Sequence, residues 1–497
     1  MSAVAAQRPS APLRRFAAVQ RVTGILLMMF SITMLPPLLI SLHRQEGLAL
    51  AFAQAMGLTL GSGAAVFLPV RRATAELKIR DGFLVVVLFW VVLSAFGAVP
   101  FFILPIDWLN FTDAVFESTS GLTTTGATAI AGGLDAMPWS ILYYRTQLHW
   151  LGGMGVIVLA VALLPMLGIG GMQLFRAETP GPMKNNKLTP RIASTARALW
   201  LIYLAITAAC ILTYWALGMS FFDALCHGMS TVATGGFANH DASIGYFESL
   251  AIEIACMVFM LVGATNFTLH FLAWRRKSVL SYLRDAEFRA FVFTVLALSI
   301  LVCVPLWLFG TYETLGAAIR YGLFQLIAFG SNAGFATADP THWPAYVPLL
   351  IVLSGFMVGC AGSTSAGIKV ARLVLIFKQL LRELQRLLHP NATILVKFGR
   401  RTVPDEILYA VSSFFFVYVV LTVALTFAMV LLGEEPVVAF STVAAAINNE
   451  GPGLGHANAT MAGVSDAGKW LLIVTMIMGR LEIFTFLIIF TPGFWRR

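Results

Sequence analysis

The chain has 497 residues, of which 58% are hydrophobic and only 11% charged. Soluble domains carry about 25% charge, so composition excludes a soluble enzyme or a soluble binding module. The formal net charge is +9, and it is so unevenly placed that membrane topology accounts for it without nucleic acid.

Apolar runs long enough to cross about 30 Å of hydrocarbon as helices begin at residues 22–43. This run follows Arg14, Arg15 and Arg21, as a signal-peptide core would. It is too long for one and shows no clear small-residue cleavage site, so it reads as a retained helix. With 49–70 it makes an N-terminal transmembrane hairpin, residues 1–80. Further long helices are expected at about 83–105, 140–172, 197–218, 247–274, 288–310, 346–388, 405–433 and 467–491. A β-barrel would instead need short alternating segments. The fold class is an all-α polytopic membrane protein.

Basic clusters at 71–80, 176–197, 275–289 and 372–401 alternate with loops holding Asp107, Asp113, Asp135, Asp241, Asp339, Glu434 and Glu435. The positive-inside rule then puts the basic loops and the N-terminus in the cytoplasm. The five cysteines are scattered in apolar segments without metal-ligand spacing. The Asn-x-Thr matches at Asn110, Asn266, Asn391 and Asn458 are weak patterns.

An internal repeat organises the rest. "TDAVFESTSGLTTTG" (112–126), "FDALCHGMSTVATGG" (222–236), "RYGLFQLIAFGSNAG" (320–334) and "VVAFSTVAAAINNEG" (437–451) align without a gap. All end on glycine: Gly126, Gly236, Gly334 and Gly451. One small-residue column is Ala114, Ala224, Gly322 and Ala439; another, six places on, is Ser120, Ser230, Ala328 and Ala445. The unit is long helix, short helix, polar loop, long helix. It divides the chain into pore repeats at 81–180, 181–280, 281–400 and 401–497. One such loop alone would equally suit small-residue helix packing; four gapless matches are not explained that way.

A loop at membrane depth cannot face lipid, because nothing there satisfies its backbone, but it can line a watery pore. Four loops around one axis would present carbonyl oxygens that replace a cation's hydration shell. Glycine permits the backbone angles such a strand needs. Each short helix would aim the negative end of its dipole at the cation.

These loops resemble the degenerate filters of the Trk/Ktr/HKT potassium transporter superfamily. The resemblance covers the whole chain, and "NNEGPGLG", "GCAGSTSAGIK" and the N-terminal hairpin point to its TrkH/TrkG type of pore subunit. It implies K+ at the backbone carbonyls of Thr124, Thr125, Gly126, Thr234, Gly235, Gly236, Asn332, Ala333, Gly334, Asn449, Glu450 and Gly451. Glu450 departs from the pattern, standing where an aliphatic residue is expected. Turned away from the pore it would only tune the mouth; turned inward it would add a cation site.

The stretch "VGCAGSTSAGIKVAR" (358–372) places glycines and hydroxyl residues in the middle of a span, which should unwind it. The resemblance implies that Gly359, Gly362, Ser363, Thr364, Ser365 and Gly367 belong to an intramembrane gating loop below the filter. Arg480 lies within the last apolar run, where a charge needs a partner or water. The family's arginine in this motif stands beside the gate; Glu482 is one candidate partner. Asn266 and His270, in "GATNFTLHF", are assigned packing or hydrogen-bonding roles.

The function implied is potassium uptake across a bacterial inner membrane, with no organic cofactor on this chain. The family's pore subunits pair with a cytoplasmic nucleotide-binding ring of the TrkA type and form homodimers. The alternative is a proton- or sodium-coupled cation symporter. Such proteins usually carry inverted repeats and midplane carboxylates, whereas these repeats are parallel. No Walker motif, dinucleotide fingerprint or catalytic triad appears, so an enzyme is not expected.

Overall fold

The computed structural model describes residues 16–72, 79–104, 109–158, 192–399 and 401–496. Arg14, Arg15, Asp107, the later part of the expected 140–172 helix and most of the basic clusters at 71–80 and 176–197 lie outside the described residues. Those described are helical but for loops and a two-stranded hairpin, Lys397–Phe398 with Arg401–Thr402. Among the described residues six helices are long and apolar enough to cross a membrane, or up to eight if two sharply bent helix pairs each count as one span.

The N-terminal hairpin packs Ala17–Ser31 and Leu35–Arg44 against Ala49–Phe67. The first helices of the four repeats are Ile79–Gly97, Ile192–Ala216, Ala286–Leu308 and Asp405–Leu431. Each is followed by a short helix: Phe111–Leu122, Phe221–Val232, Leu315–Gly330 and Pro436–Ile447. Three short helices start on side-chain caps, where Asn110, Ser220 and Thr314 accept from the N–H groups of Asp113, Asp223 and Ala317. The fourth starts with proline at its first position, where the missing N–H costs no helical bond. From Thr112 to Leu122 every residue of the first short helix is buried, so protein and not lipid surrounds it.

The second long helices differ from the sequence expectation. In repeat one Trp139–Val158 is continuous as far as it is described. The helix expected at 247–274 is two, Leu250–Gly263 and Phe267–Arg276, bent by 95°. Asn266 causes the break: its side chain accepts from the Thr268 N–H at 2.8 Å and caps a new helix. The helix expected at 467–491 also breaks, with Asp466–Arg480 bent by 108° from Phe484–Phe490. There Glu482 (φ 52°) and Ile483 (φ 56°) both adopt left-handed backbone, which is strained for a β-branched residue. Hydropathy does not register either break, because it reads apolar content and not caps or backbone angles.

Candidate cation filter and gate

The four short helices end alike. Thr124, Thr234, Asn332 and Asn449 follow them with φ of 55°, 51°, 61° and 51°. The next N–H in each case, from Thr125, Gly235, Ala333 or Glu450, donates 2.8–2.9 Å back to the carbonyl of Ser120, Ser230, Ala328 or Ala445. This is a Schellman cap, with the left-handed residue just past the helix. The second small-residue column in the sequence is therefore the set of carbonyls that anchor the four strands. Asparagine tolerates a left-handed backbone, whereas threonine there is strained.

Two residues beyond each of these lies a glycine, again with positive φ: 82° at Gly126, 87° at Gly236, 68° at Gly334 and 101° at Gly451. The four glycines interlock. A Cβ on Gly126 would overlap the Gly235 carbonyl oxygen, one on Gly236 that of Ala333, and one on Gly334 that of Glu450. One on Gly451 would sit 2.7 Å from the Thr125 carbonyl oxygen. Each repeat thus abuts the next and the fourth returns to the first, so the strands close into a ring. No side chain fits where the glycines stand.

On one side of the ring a cavity of about 420 Å³ is lined by all four glycines together with Arg145, His240, Asp241, Asp339 and Asn458. Glu450 does not turn into it. Its carbonyl faces Gly334, while its carboxylate is fully buried against Gly355, where a Cβ would meet both carboxylate oxygens. Neither oxygen has a partner at hydrogen-bond distance among the described residues; the Asn448 side chain is its polar neighbour. Of the two orientations open to Glu450, the structure adopts the outward one.

On the opposite side lies the interrupted helix of repeat three. Tyr346–Met357 and Val370–Leu388 are helical, and 358–369 between them are not. Gly359, Gly362 and Gly367 have φ of 108°, 73° and 72°. The Gly359 carbonyl accepts from the Val370 N–H at 3.0 Å, closing the loop's base. The Gly362 carbonyl accepts from the Phe267 N–H at 3.0 Å, seating the loop in the repeat-two helix break. Thr364 and Ser365 reach the ring: Thr234 Oγ1 lies 3.2 Å from Thr364 Oγ1, and Ser365 donates to Asn332 Oδ1. Ser363 instead turns back onto the Cys360 carbonyl at 2.7 Å.

Arg480 is buried beside this loop. Its Nη1 donates to the Thr364 carbonyl at 2.9 Å, and its Nη2 to the Gly152 carbonyl of repeat one at 3.1 Å. Glu482 is not its partner. The helix break after Arg480 carries Glu482 away, and its carboxylate pairs with Lys369, 2.5 Å, and with Arg372. His270 bonds Tyr282 Oη at 2.7 Å and the Val262 carbonyl at 3.0 Å, a bracing role.

Sequence reasoning passed over several ion pairs with a buried carboxylate. Arg145 meets Glu117 at 2.7 Å, Arg320 meets Glu253 at 2.7 Å, and Lys469 meets Asp113 at 2.7 Å. Asp113 is not a loop residue but lies buried in the first turn of a pore helix. Arg145 also donates to the Ala238 carbonyl at 3.2 Å and so ties repeat one to the segment that follows the second strand of the ring. The available signal was a charge inside each apolar run.

The TrkH family profile, described as a cation transport protein, matches residues 50–496. The chain is 51% identical over 479 residues to the Trk system potassium uptake protein TrkH of Halomonas elongata, covering 96% of this chain and 99% of that one. It is 47% identical over 481 residues to the protein of the same name from Escherichia coli, covering 97% and 99%. Its structure matches the crystal structure of the potassium transporter TrkH from Vibrio parahaemolyticus with a TM-score of 0.89 and 46% identity, covering 97% of this chain and all of that one. The match extends over nearly the whole chain, and the chain belongs to the TrkH family of cation transport proteins.

Proposed function

We propose that this chain is the pore subunit of a bacterial potassium uptake system. The observation that carries the reading is the closed ring, in which every filter glycine abuts the carbonyl of the next repeat. Such a ring offers oxygens in place of a hydration shell. The twelve filter residues, from Thr124–Gly126, Thr234–Gly236, Asn332–Gly334 and Asn449–Gly451, hold K+ through backbone carbonyls. The relatives are named as potassium uptake proteins, which supports potassium as the cargo.

In this reading the cavity faces outside and the basic segments, with the N-terminus, face the cytoplasm across the inner membrane. An inside-negative potential, worth about 2.3 kcal/mol per charge per 100 mV, drives accumulation without chemistry on this chain. The loop at 358–369 is the gate and Arg480 its anchor. A TrkA-type nucleotide-binding ring docks on the basic cytoplasmic segments, and the pore subunit works as a homodimer. Salt should weaken the ring's docking.

The test is flux through the purified chain in liposomes, comparing K+, Rb+ and Na+. Potassium and rubidium are expected to pass and sodium to be discriminated against. Equal passage of all three would overturn the filter assignment.

A further inference from the structure

His240 follows the second filter strand and lines the same cavity as the four glycines. Its Nδ1 lies 2.5 Å from Asp135 Oδ1 of repeat one, and its Nε2 lies 3.4 Å from Asp223 Oδ1 at the start of the second pore helix. Its ring stacks on Tyr246 at 3.5 Å between centroids, with the His227 ring 6.1 Å away. Asp241, the adjacent residue, is fixed by the N–H groups of Gly133 and Leu134 at 2.8 and 3.1 Å. Carboxylates from two repeats, Asp135 and Asp223, therefore flank one imidazole at the pore mouth. The side chain is 13% exposed, so water reaches it.

We propose that His240 is a proton-binding site on the outer mouth that sets the mouth's negative charge and, through it, the apparent affinity for entering potassium. This rests on the reading of the cavity as the pore's outer vestibule. With its proton, His240 bridges Asp135 and Asp223 and offsets one carboxylate. Without it, the two carboxylates face a neutral ring and the mouth gains a full negative charge.

The direction of the pH effect follows from the surroundings. Burial opposes protonation, but the Asp223 and Asp135 carboxylates outweigh it and hold the imidazole pKa above its ordinary value. The proton is therefore retained at pH values where a free histidine is neutral, and is lost as pH rises through the raised value. A more negative mouth concentrates cations. One unit charge at roughly 10 Å changes local cation concentration about two- to tenfold, depending on the effective dielectric. Apparent KM should fall by that factor on the alkaline side, while the maximal rate stays constant because filter and loop are untouched.

Two measurements on the full-length chain test this. The first follows the His240 ring signals by NMR in detergent, assigned by their loss in His240→Gln. A midpoint above about 6.5, the ordinary histidine value, that drops in Asp135→Asn is expected; a midpoint at or below it overturns the proposal whatever the transport result. The second measures Rb+ uptake against external pH in cells expressing the chain with its host partners. Wild type should show the KM shift, His240→Gln a low KM at every pH, and His240→Lys a high one. An unchanged KM profile in His240→Gln overturns the proposal while leaving the pore assignment standing. Absence of any Rb+ uptake in wild type instead overturns the pore reading on which the proposal rests.

Discussion

Arg480 donates a 2.9 Å hydrogen bond to the carbonyl of Thr364, joining the last helix of repeat four to the crossing loop of repeat three. The same guanidinium holds the Gly152 carbonyl of repeat one at 3.1 Å. One buried cation thus pins between two repeats the loop that touches Thr234 and Asn332 of the ring. Hydrogen bonds from charged groups are worth about 1.5–3 kcal/mol. Arg480→Ala should therefore shift the loop off the axis and raise Rb+ flux in liposomes roughly tenfold. The preference for potassium over sodium should be unchanged, because no filter contact is lost. Lower flux from a folded Arg480→Ala protein would identify the loop as a permeation element. Deletion within 359–367 should act in the same direction.

Glu482 makes a second latch. It pairs with Lys369 and Arg372, the two cations where the loop rejoins its helix. Lys369 itself has a φ of 73°, and the pair with Glu482 helps to hold it there. Removing one partner of a fully buried pair costs about 3–5 kcal/mol, and the cost here is smaller because Glu482 is partly exposed. Glu482→Gln should lower the Tm in detergent and raise basal flux. Adding Lys369→Met should recover part of both, and a double-mutant cycle measures the coupling. Additive effects would show that the two residues act independently.

Much of the candidate site's backbone geometry was legible in the sequence, for a physical reason. Each strand of the ring is local, set by a helix end, a left-handed residue and a glycine, so it leaves the same fifteen-residue trace four times. That trace supported the family resemblance, and the family comparisons agree with it. The interrupted helix was visible for the same reason, as Gly359, Gly362 and Gly367 fall within one short stretch. Pairing was not visible. Glu482 lies two residues from Arg480 and over a hundred from Lys369, and only the helix break decides which it meets. That break depends on two non-glycine residues in left-handed backbone, a conformation composition does not foretell.

The ring makes a further prediction. At Gly126, Gly236, Gly334 and Gly451 an L side chain meets two penalties, positive φ and overlap with the next repeat's carbonyl. The left-handed backbone alone costs about 1–2 kcal/mol. Alanine at any of the four should displace the neighbouring carbonyl and reduce discrimination between Rb+ and Na+ by tenfold or more. The protein should still be made, since the pore helices and outer spans are unaltered. Wild-type selectivity in all four variants would refute the ring as the selective element.

Glu450 should behave oppositely. Its backbone belongs to the ring, where its carbonyl lies against Gly334. Its side chain is fully buried against Gly355, with both carboxylate oxygens unpartnered at hydrogen-bond distance among the described residues. Burying a polar group without a hydrogen bond costs about 1–3 kcal/mol in proteins, and an ionised carboxylate costs more. Leucine has a similar reach and no such cost, and the space beside Gly355 is already shaped for a side chain of that length. Glu450→Leu should therefore raise the Tm in detergent. Glu450→Gln should raise it less, since the amide would remain unpartnered. Neither should alter the Rb+ to Na+ flux ratio, because the oxygen offered to the ion is the main-chain one. A stable Glu450→Leu protein with lost selectivity would show that the carboxylate acts on the ion through the filter wall. A drop in Tm would show that it has a partner the unaltered side chain depends on.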